Sequence, residues 1–466
     1  MAKPIFIGGT SSHAGKSWMA TAICAWLRRR GVRVAPFKAQ NMSNNSYPCL
    51  AGGEIGRAQV VQAWACGLDP EPAMNPILLK PNSNGSSQIV LHGKPWQTLP
   101  ARAYYEHFEF LQQQVLNAYQ NLASRFDVIV LEGAGSVTEL NLRQFDLVNL
   151  GLATRLRAPW LLVSDIERGG VFASVIGTVN LLTADERSLL RAFAVNKFRG
   201  DLSLFEEGRR ILETRTGVPC LGVFPFAGDI QLDDEDSLSV PATAPKTPMP
   251  EGRRCAIVRF PRISNTTDFR LLQDARWIFA PVDECFDFIF LPGTKDTAGD
   301  LRWLREQKLD EWIVAQHRGG ATIVGICGGF QMLGEAITDP HGMESTCIET
   351  TGLGLLPVRT TMRPEKTTEV VKASTPRGHQ FSAYEIHLGE TTIARCDSEP
   401  FAVLEDGMAE GIRRDRVVGT YLHGAFEDPL VLAELGIAAS SCDTQPYDRL
   451  ADWFEQYAEG FEALFL

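Results

Sequence analysis

Short apolar runs, each ending in a polar or glycine-rich tip, recur along the chain and alternate with stretches of helical period. PIFIGG, VRVAPFK, FDVIVLEGAGS, PWLLVSDIE and LLRAFAVNKFRGD read as buried parallel strands, whose carboxyl ends build the site in an open α/β sheet. Between the first two, KSWMATAICAWLRRR puts Met19, Ile23, Trp26 and Leu27 on one helical face and closes on arginines, which suit a helix C-terminus. The pattern changes at DIQLDDEDSLSVPATAPKTPMPEG, acidic and then rich in Pro, Ala and Thr with no apolar period, as in a linker. CAIVRF, FDFIFLPG, ATIVGIC and VVGTYLHGAF then form a second α/β set. The final YDRLADWFEQYAEGFEALFL predicts an amphipathic closing helix with Leu450, Trp453, Phe454 and Phe461 on its core side. The expected division is an α/β domain over 1–228, a linker over 229–250 and a second α/β domain over 251–466.

Composition narrows the function classes. At 466 residues the chain exceeds what one core organises, and 44% hydrophobic with 22% charged residues is ordinary for a soluble globular protein. A formal net charge of -11 argues against a nucleic-acid or membrane-surface binder, so an anionic substrate needs a local basic pocket. The ten cysteines are scattered without a C-x-x-C pair, which excludes a compact zinc motif and fits a reducing cytosol. No apolar run approaches the roughly 18 residues of a membrane helix. The opening MAKPIFIGGTSSHAGKS puts a functional loop where a cleavable signal would sit, so a cytoplasmic location is expected. The sequence does not set the oligomeric state.

GGTSSHAGKS follows the first strand and opens the first helix, the setting of a phosphate loop for ATP. Lys16 would reach the outer phosphates and Ser17 would offer its hydroxyl to Mg²⁺. Five residues separate Gly9 from Gly15, one more than the usual spacing, and Thr10 stands where the first glycine should be. This variant resembles the loops of dethiobiotin synthetase-like proteins. Glu132, closing FDVIVLE, reads as the strand-end carboxylate for the metal. APFKAQNMSNNSY brings Lys38, Gln40, Asn41, Asn44 and Asn45 to another strand end. That cluster suits carboxylate groups and equally suits an ordinary polar loop. Asn196, in VNKFRGD, stands where related enzymes read the adenine ring.

Free cysteines are mostly inert and buried, so Cys327 has to be argued from its surroundings. TIVGICGGFQMLG is a G-x-C-x-G elbow: an apolar strand, the thiol, then a helix whose N-terminus favours the thiolate. His423, ending the strand in GTYLHGAFED, is the candidate base. The Gly328 amide offers one oxyanion donor, and LPGTKDT a second from near Gly293 or Thr294. His387 in SAYEIHLGE is a candidate for the glutamine pocket. Triad-type glutamine amidotransferases usually carry a glutamate two residues after the histidine, but that position is Ala425 here. Glu427 is the open alternative. Without a fixed carboxylate, glutaminase activity should be weak unless the other domain is loaded.

ATP chemistry and a glutamine-cleaving thiol in one chain suggest an amidoligase. KAQNMSNNS, EIGRAQ, NPILLKP, DIERGGVFAS, NKFRGD, LPGTKDT and YEIHLGE, in this order, resemble the cobyric acid synthase family, CobQ-type glutamine-dependent amidoligases of cobalamin biosynthesis. The resemblance implies a dethiobiotin-synthetase-like domain followed by a class I glutamine amidotransferase-like domain. It implies ATP, Mg²⁺, glutamine and a corrinoid as small-molecule partners, with neither nucleic acid nor membrane. The implied reaction is amidation of the b, d, e and g carboxylates of adenosylcobyrinic acid a,c-diamide, with Cys327 as nucleophile and His423 as base. Arg57, Lys80 and Arg168 join Lys38, Gln40, Asn41 and Asn44 as candidates for the corrinoid's anionic groups. The alternatives are cobyrinic acid a,c-diamide synthase, with the same plan, and a MinD/ParA-like ATPase with a non-catalytic second half. Against the latter, Ser11 stands where a second loop lysine would be.

Overall fold

A computed structural model describes residues 2–82, 85–233, 253–344, 348–394, 397–440 and 445–466. The expected linker therefore lies outside the described residues from 234 onward. The chain divides into two units: Met1–Ser43, Glu54–Asp233 and Asp443–Leu466 form unit 1, and Asn44–Gly53 with Asp234–Cys442 form unit 2.

Unit 1 is built on six parallel strands: β1 (Lys3–Gly9), β2 (Val34–Phe37), β3 (Val128–Glu132), β4 (Trp160–Asp165), β5 (Leu190–Phe198) and β6 (Cys220–Pro225). They lie in the order β6-β5-β4-β1-β3-β2. β3 and β4 are buried along their whole length, as strands covered on both faces must be. β1 sits centrally, and the loop after it opens α1 (Lys16–Arg29), whose Met19, Ile23, Trp26 and Leu27 are all buried.

The closing segment departs from the expected division. It forms two helices, Pro446–Tyr457 and Phe461–Phe465, within unit 1 rather than within the second domain. The cause is the apolar face of α1. The Trp26 ring meets Phe454 at 5.6 Å and Phe461 at 5.4 Å, both edge-on.

Unit 2 contains β7 (Cys255–Val258), β8 (Arg276–Ile278), β9 (Phe288–Leu291), β10 (Thr322–Ile326), β11 (Ile412–Arg414) and β12 (Val417–Thr420). Their order is β8-β7-β9-β10-β12-β11, parallel except for the edge strand β11. A long antiparallel hairpin of strands Val358–Ser374 and Gln380–Ile393, unanticipated from the sequence, is also part of this unit. Among the described residues no helix is long and apolar enough to cross a membrane.

Candidate active site

In unit 2, four neighbouring parallel strands, β7, β9, β10 and β12, each lead into a site residue at the carboxyl end of the sheet. Cys327 follows β10 and starts α2 (Gly328–Leu333) with φ 51° and ψ -110°. A positive φ is strained for a non-glycine residue and is a mark of functional turns. Two glycines make the turn feasible. A Cβ on Gly329 would lie 1.9 Å from the Leu291 carbonyl oxygen, and one on Gly325 would lie 2.6 Å from Leu333. The Cys327 N–H donates to the Thr420 carbonyl (2.8 Å), and its Sγ lies 3.7 Å from the Ile386 carbonyl.

His423 follows β12 and is fully buried. It exchanges two backbone hydrogen bonds with Tyr384, both 2.9 Å, and its ring stacks on the Tyr384 ring at 5.3 Å. Its Nδ1 lies 2.7 Å from Asp268 Oδ2, while Asp268 Oδ1 accepts the Gly424 N–H at 2.7 Å. Asp268 sits in the short helix Thr266–Phe269 beyond β7 and is itself buried. A carboxylate at Nδ1 fixes the proton there and turns Nε2 toward other chemistry. Nε2 is buried with no hydrogen-bond partner among the described residues. Burial alone would lower the His423 pKa. The charge and hydrogen bond of Asp268, with a contribution from Cys327, reverse this and hold it at about 10.

The open question of Glu427 is thereby answered: its carboxylate pairs with Arg270 at 2.9 Å, and Asp268 is the acid on the histidine. The premise that the imidazole lacks a fixed carboxylate does not hold. Sequence reasoning missed Asp268 because it looked two residues after the histidine. The available signal was an acid in SNTTDF, just past the strand CAIVRF.

Thr294 and Gly293, after β9, flank the same region. The Thr294 nitrogen lies 3.1 Å from where a Gly328 Cβ would be, and a Gly293 Cβ would meet His423 Cε1 at 2.8 Å. The bridge between Ile263 and Thr294 is closed by the amides of Ser264 and Lys295, so the Thr294 N–H is not one of its bonds. Buried Asp300, held at about 6 chiefly by desolvation, anchors the Thr294 hydroxyl. His387 stacks on Tyr421 at 3.8 Å, and its Nδ1 lies 2.8 Å from the Gly389 carbonyl. Tyr421 also meets the Gln331 amide (3.3 Å), whose oxygen accepts the Thr297 hydroxyl (3.0 Å).

In unit 1, Glu132 collects the predicted polar residues. Its Oε1 accepts from Ser17 Oγ (2.7 Å) and Lys38 Nζ (2.9 Å), and its Oε2 from Gln62 (2.5 Å). Gln59 links this group to Asn41, whose Nδ2 donates to it at 2.9 Å. Gln59 and Gln62 are fully buried on the helix Arg57–Ala65; Gln59 figured in the sequence only as the end of EIGRAQ and Gln62 went unmarked, though two glutamines one turn apart in an Ala/Val helix are a readable signal. Lys16 Nζ donates to the carbonyls of Ser11 (3.0 Å) and Gly135 (2.8 Å). Thr10 Oγ1 lies 3.1 Å from Ser164 Oγ. Asn196 faces the loop backbone, donating to the Ala14 carbonyl at 3.1 Å, and a Cβ on Gly15 would lie 2.0 Å from its amide nitrogen.

The remaining candidates divide. Gln40 accepts from the Tyr104 hydroxyl. Arg57 and Lys80 are buried in ion pairs, with Asp233 (2.7 Å) and with Glu54. Withdrawing either would leave a buried carboxylate unpaired, so both are tied into the fold. Arg168 is exposed, and Asn44 belongs to unit 2.

The CobQ/CobB/MinD/ParA nucleotide binding domain family matches residues 5–240, and the CobB/CobQ-like glutamine amidotransferase domain family matches residues 254–430. The cobyric acid synthase of Parabacteroides distasonis is 43% identical over 476 residues, covering 98% of this chain and 95% of its own. That of Syntrophobacter fumaroxidans is 40% identical over 502 residues (98% and 97%). That of Rhodococcus jostii is 45% identical over 434 residues (91% and 84%).

Proposed function

The chain belongs to the cobyric acid synthase family of glutamine-hydrolysing amidoligases, and from that premise we propose how its residues divide the work. Unit 2 cleaves glutamine. Cys327 attacks the side-chain amide carbon as a thiolate, and the Gly328 and Thr294 N–H groups receive the developing oxyanion. His423, oriented by Asp268, protonates the departing nitrogen, so ammonia leaves and a thioester remains. Water, deprotonated by the same imidazole, then releases glutamate and restores the thiol. His387 and Gln331 line the glutamine pocket.

Unit 1 activates the acid. The loop amides and Lys16 hold the ATP phosphates, and Gln40 and Asn41 orient the substrate carboxylate for phosphorylation, while Lys38 stays paired with Glu132. Ser17 and Glu132 would hold Mg²⁺: a hydroxyl and a carboxylate oxygen 2.7 Å apart suit a hard cation that takes few protein ligands. Bound there, the ion would offset charge on the transferred phosphoryl group. Ammonia displaces phosphate from the acyl phosphate to give the amide. It must arrive unprotonated, because ammonium has no lone pair. The substrate is adenosylcobyrinic acid a,c-diamide, amidated at b, d, e and g, and the setting is the cytoplasm.

The observation that carries this reading is the 2.7 Å Asp268–His423 contact, which leaves Nε2 available to the Cys327 thiol. Cys327→Ala should abolish glutamine-dependent amidation and spare ammonia-dependent amidation, whereas Lys16→Ala should block both. Amides counted by mass on each corrinoid test the substrate. Modification of cobyrinic acid at a and c alone would refute it.

A further inference from the structure

Two of the groups that grip the His423 imidazole are themselves backed by one short segment, residues 44–53. In sequence this segment interrupts unit 1, yet it is part of unit 2. Its strand Ser46–Pro48 packs against the long hairpin that carries Tyr384. The Tyr47 ring lies 4.7 Å from the Tyr384 ring, and Tyr384 in turn covers the face of His423 at 5.3 Å, nearly parallel. On the other side, buried Asn45 accepts the Asn265 N–H through its Oδ1 at 2.8 Å. Asn265 is in the left-handed region (φ 55°, ψ 51°) and opens the single turn that delivers Asp268. That conformation is uncommon for a residue with a side chain, though asparagine adopts it more readily than most, and the Asn45 contact helps to fix it.

We propose that Asn45 and Tyr47 are positioning residues for the glutaminase base, Asn45 acting through Asp268 and Tyr47 through Tyr384. The proposal rests on unit 2 being the glutaminase. The physical reason is orientational. An imidazole pivots about its Cβ–Cγ bond, and a hydrogen bond to Nδ1 fixes one edge of the ring without fixing its plane. Tyr384 supplies the plane, and Tyr47 stops Tyr384 from yielding. Releasing either support tilts Nε2 away from the thiol, and misplacement of a catalytic group by about 1 Å is worth roughly 10²-fold in rate. Neither residue is assigned a contact with glutamine, so the effect belongs in kcat and not in KM.

The experiment measures glutamate release and amidation by the full chain for Tyr47→Ala, Tyr47→Leu, Tyr47→Phe and Asn45→Ala. Tyr47→Leu retains bulk and guards against simple loss of fold in Tyr47→Ala, with thermal melts as the check. Expected are a fall in glutaminase kcat of about 10- to 100-fold for the Ala and Leu variants, KM for glutamine within about two-fold, and near-complete retention in Tyr47→Phe. Ammonia-dependent amidation should be unchanged in the Tyr47 variants. Undiminished kcat in folded Tyr47→Leu and Asn45→Ala would overturn the proposal, as would a rise in KM with kcat constant. Glutamine-dependent amidation surviving in Cys327→Ala would instead refute the glutaminase reading itself.

Discussion

The proposed function turns on His423 and the buried carboxylate of Asp268, 2.7 Å from its Nδ1. With its imidazole held at about 10, His423 stays protonated through neutrality and can hand a proton to departing ammonia without first acquiring one. Asp268→Asn should therefore lower kcat for glutamine-dependent amidation by about 10²-fold or more and leave ammonia-dependent amidation alone. Stability gives the same pair an independent readout. The folded pKa is raised above the ordinary 6.5, so the pair's contribution is fully present below about 6.5 and is lost as pH climbs through 10. Urea melts of the wild type should show that loss between pH 7 and 10, and Asp268→Asn should flatten it. An equal slope in both proteins would detach Asp268 from the histidine. Cys327 and His423 were legible in the sequence because each is announced locally, by glycines or by a strand end. Asp268 was not, because it lies 155 residues from its partner and only the folded sheet brings them together.

Elements were legible where burial is two-sided. Strands such as VIVLE and FIFL have no exposed face, so their composition alone marks them. The hairpin Val358–Ser374 with Gln380–Ile393 escaped notice because exposed charges break its alternation, and its register shifts between Met362 and Thr367. That hairpin nevertheless carries Tyr384, Ile386 and His387. The turn at Cys327 is the opposite case, an element whose glycines were readable and whose need for them is steric. Gly329→Ala would drive a methyl into the Leu291 carbonyl oxygen, where the nearest atoms are all Leu291–Pro292 backbone and nothing flexible can yield. Its expected outcome is a chain whose unit 2 fails to fold, checked by loss of soluble expression and of glutamate release. Gly177 is the matched control: it lies within the helix Val171–Leu181, and a Cβ there meets nothing within 4 Å. Gly177→Ala should raise stability by roughly 0.5–1 kcal/mol in a denaturant melt.

At the scale of the whole chain, two stretches sit in a different unit from the one their sequence position suggests: residues 44–53 and the closing helices. Sequence order cannot reveal this, because membership follows packing partners. The amphipathic face of YDRLADWF was readable, whereas the surface that receives it was not. Two kinds of contact tie the closing helices to α1. Arg29 and Arg30 pair with Asp452, Glu455 and Glu462, all partly exposed, and such pairs contribute about 0–1 kcal/mol each. Phe454 is fully buried between Trp26, Phe224 and Phe461, and deleting a buried aromatic ring costs about 3–5 kcal/mol. The aromatic contacts decide the docking. Phe454→Ala should therefore bring heat inactivation of ammonia-dependent amidation to markedly lower temperature, while Arg29→Ala barely moves it. Because Phe454 serves unit 1, the heat-inactivation curve for glutamate release from glutamine should stay where it is. If that curve moved and the amidation curve did not, the closing helix would be supporting unit 2, and the division of the chain drawn from its packing would fail.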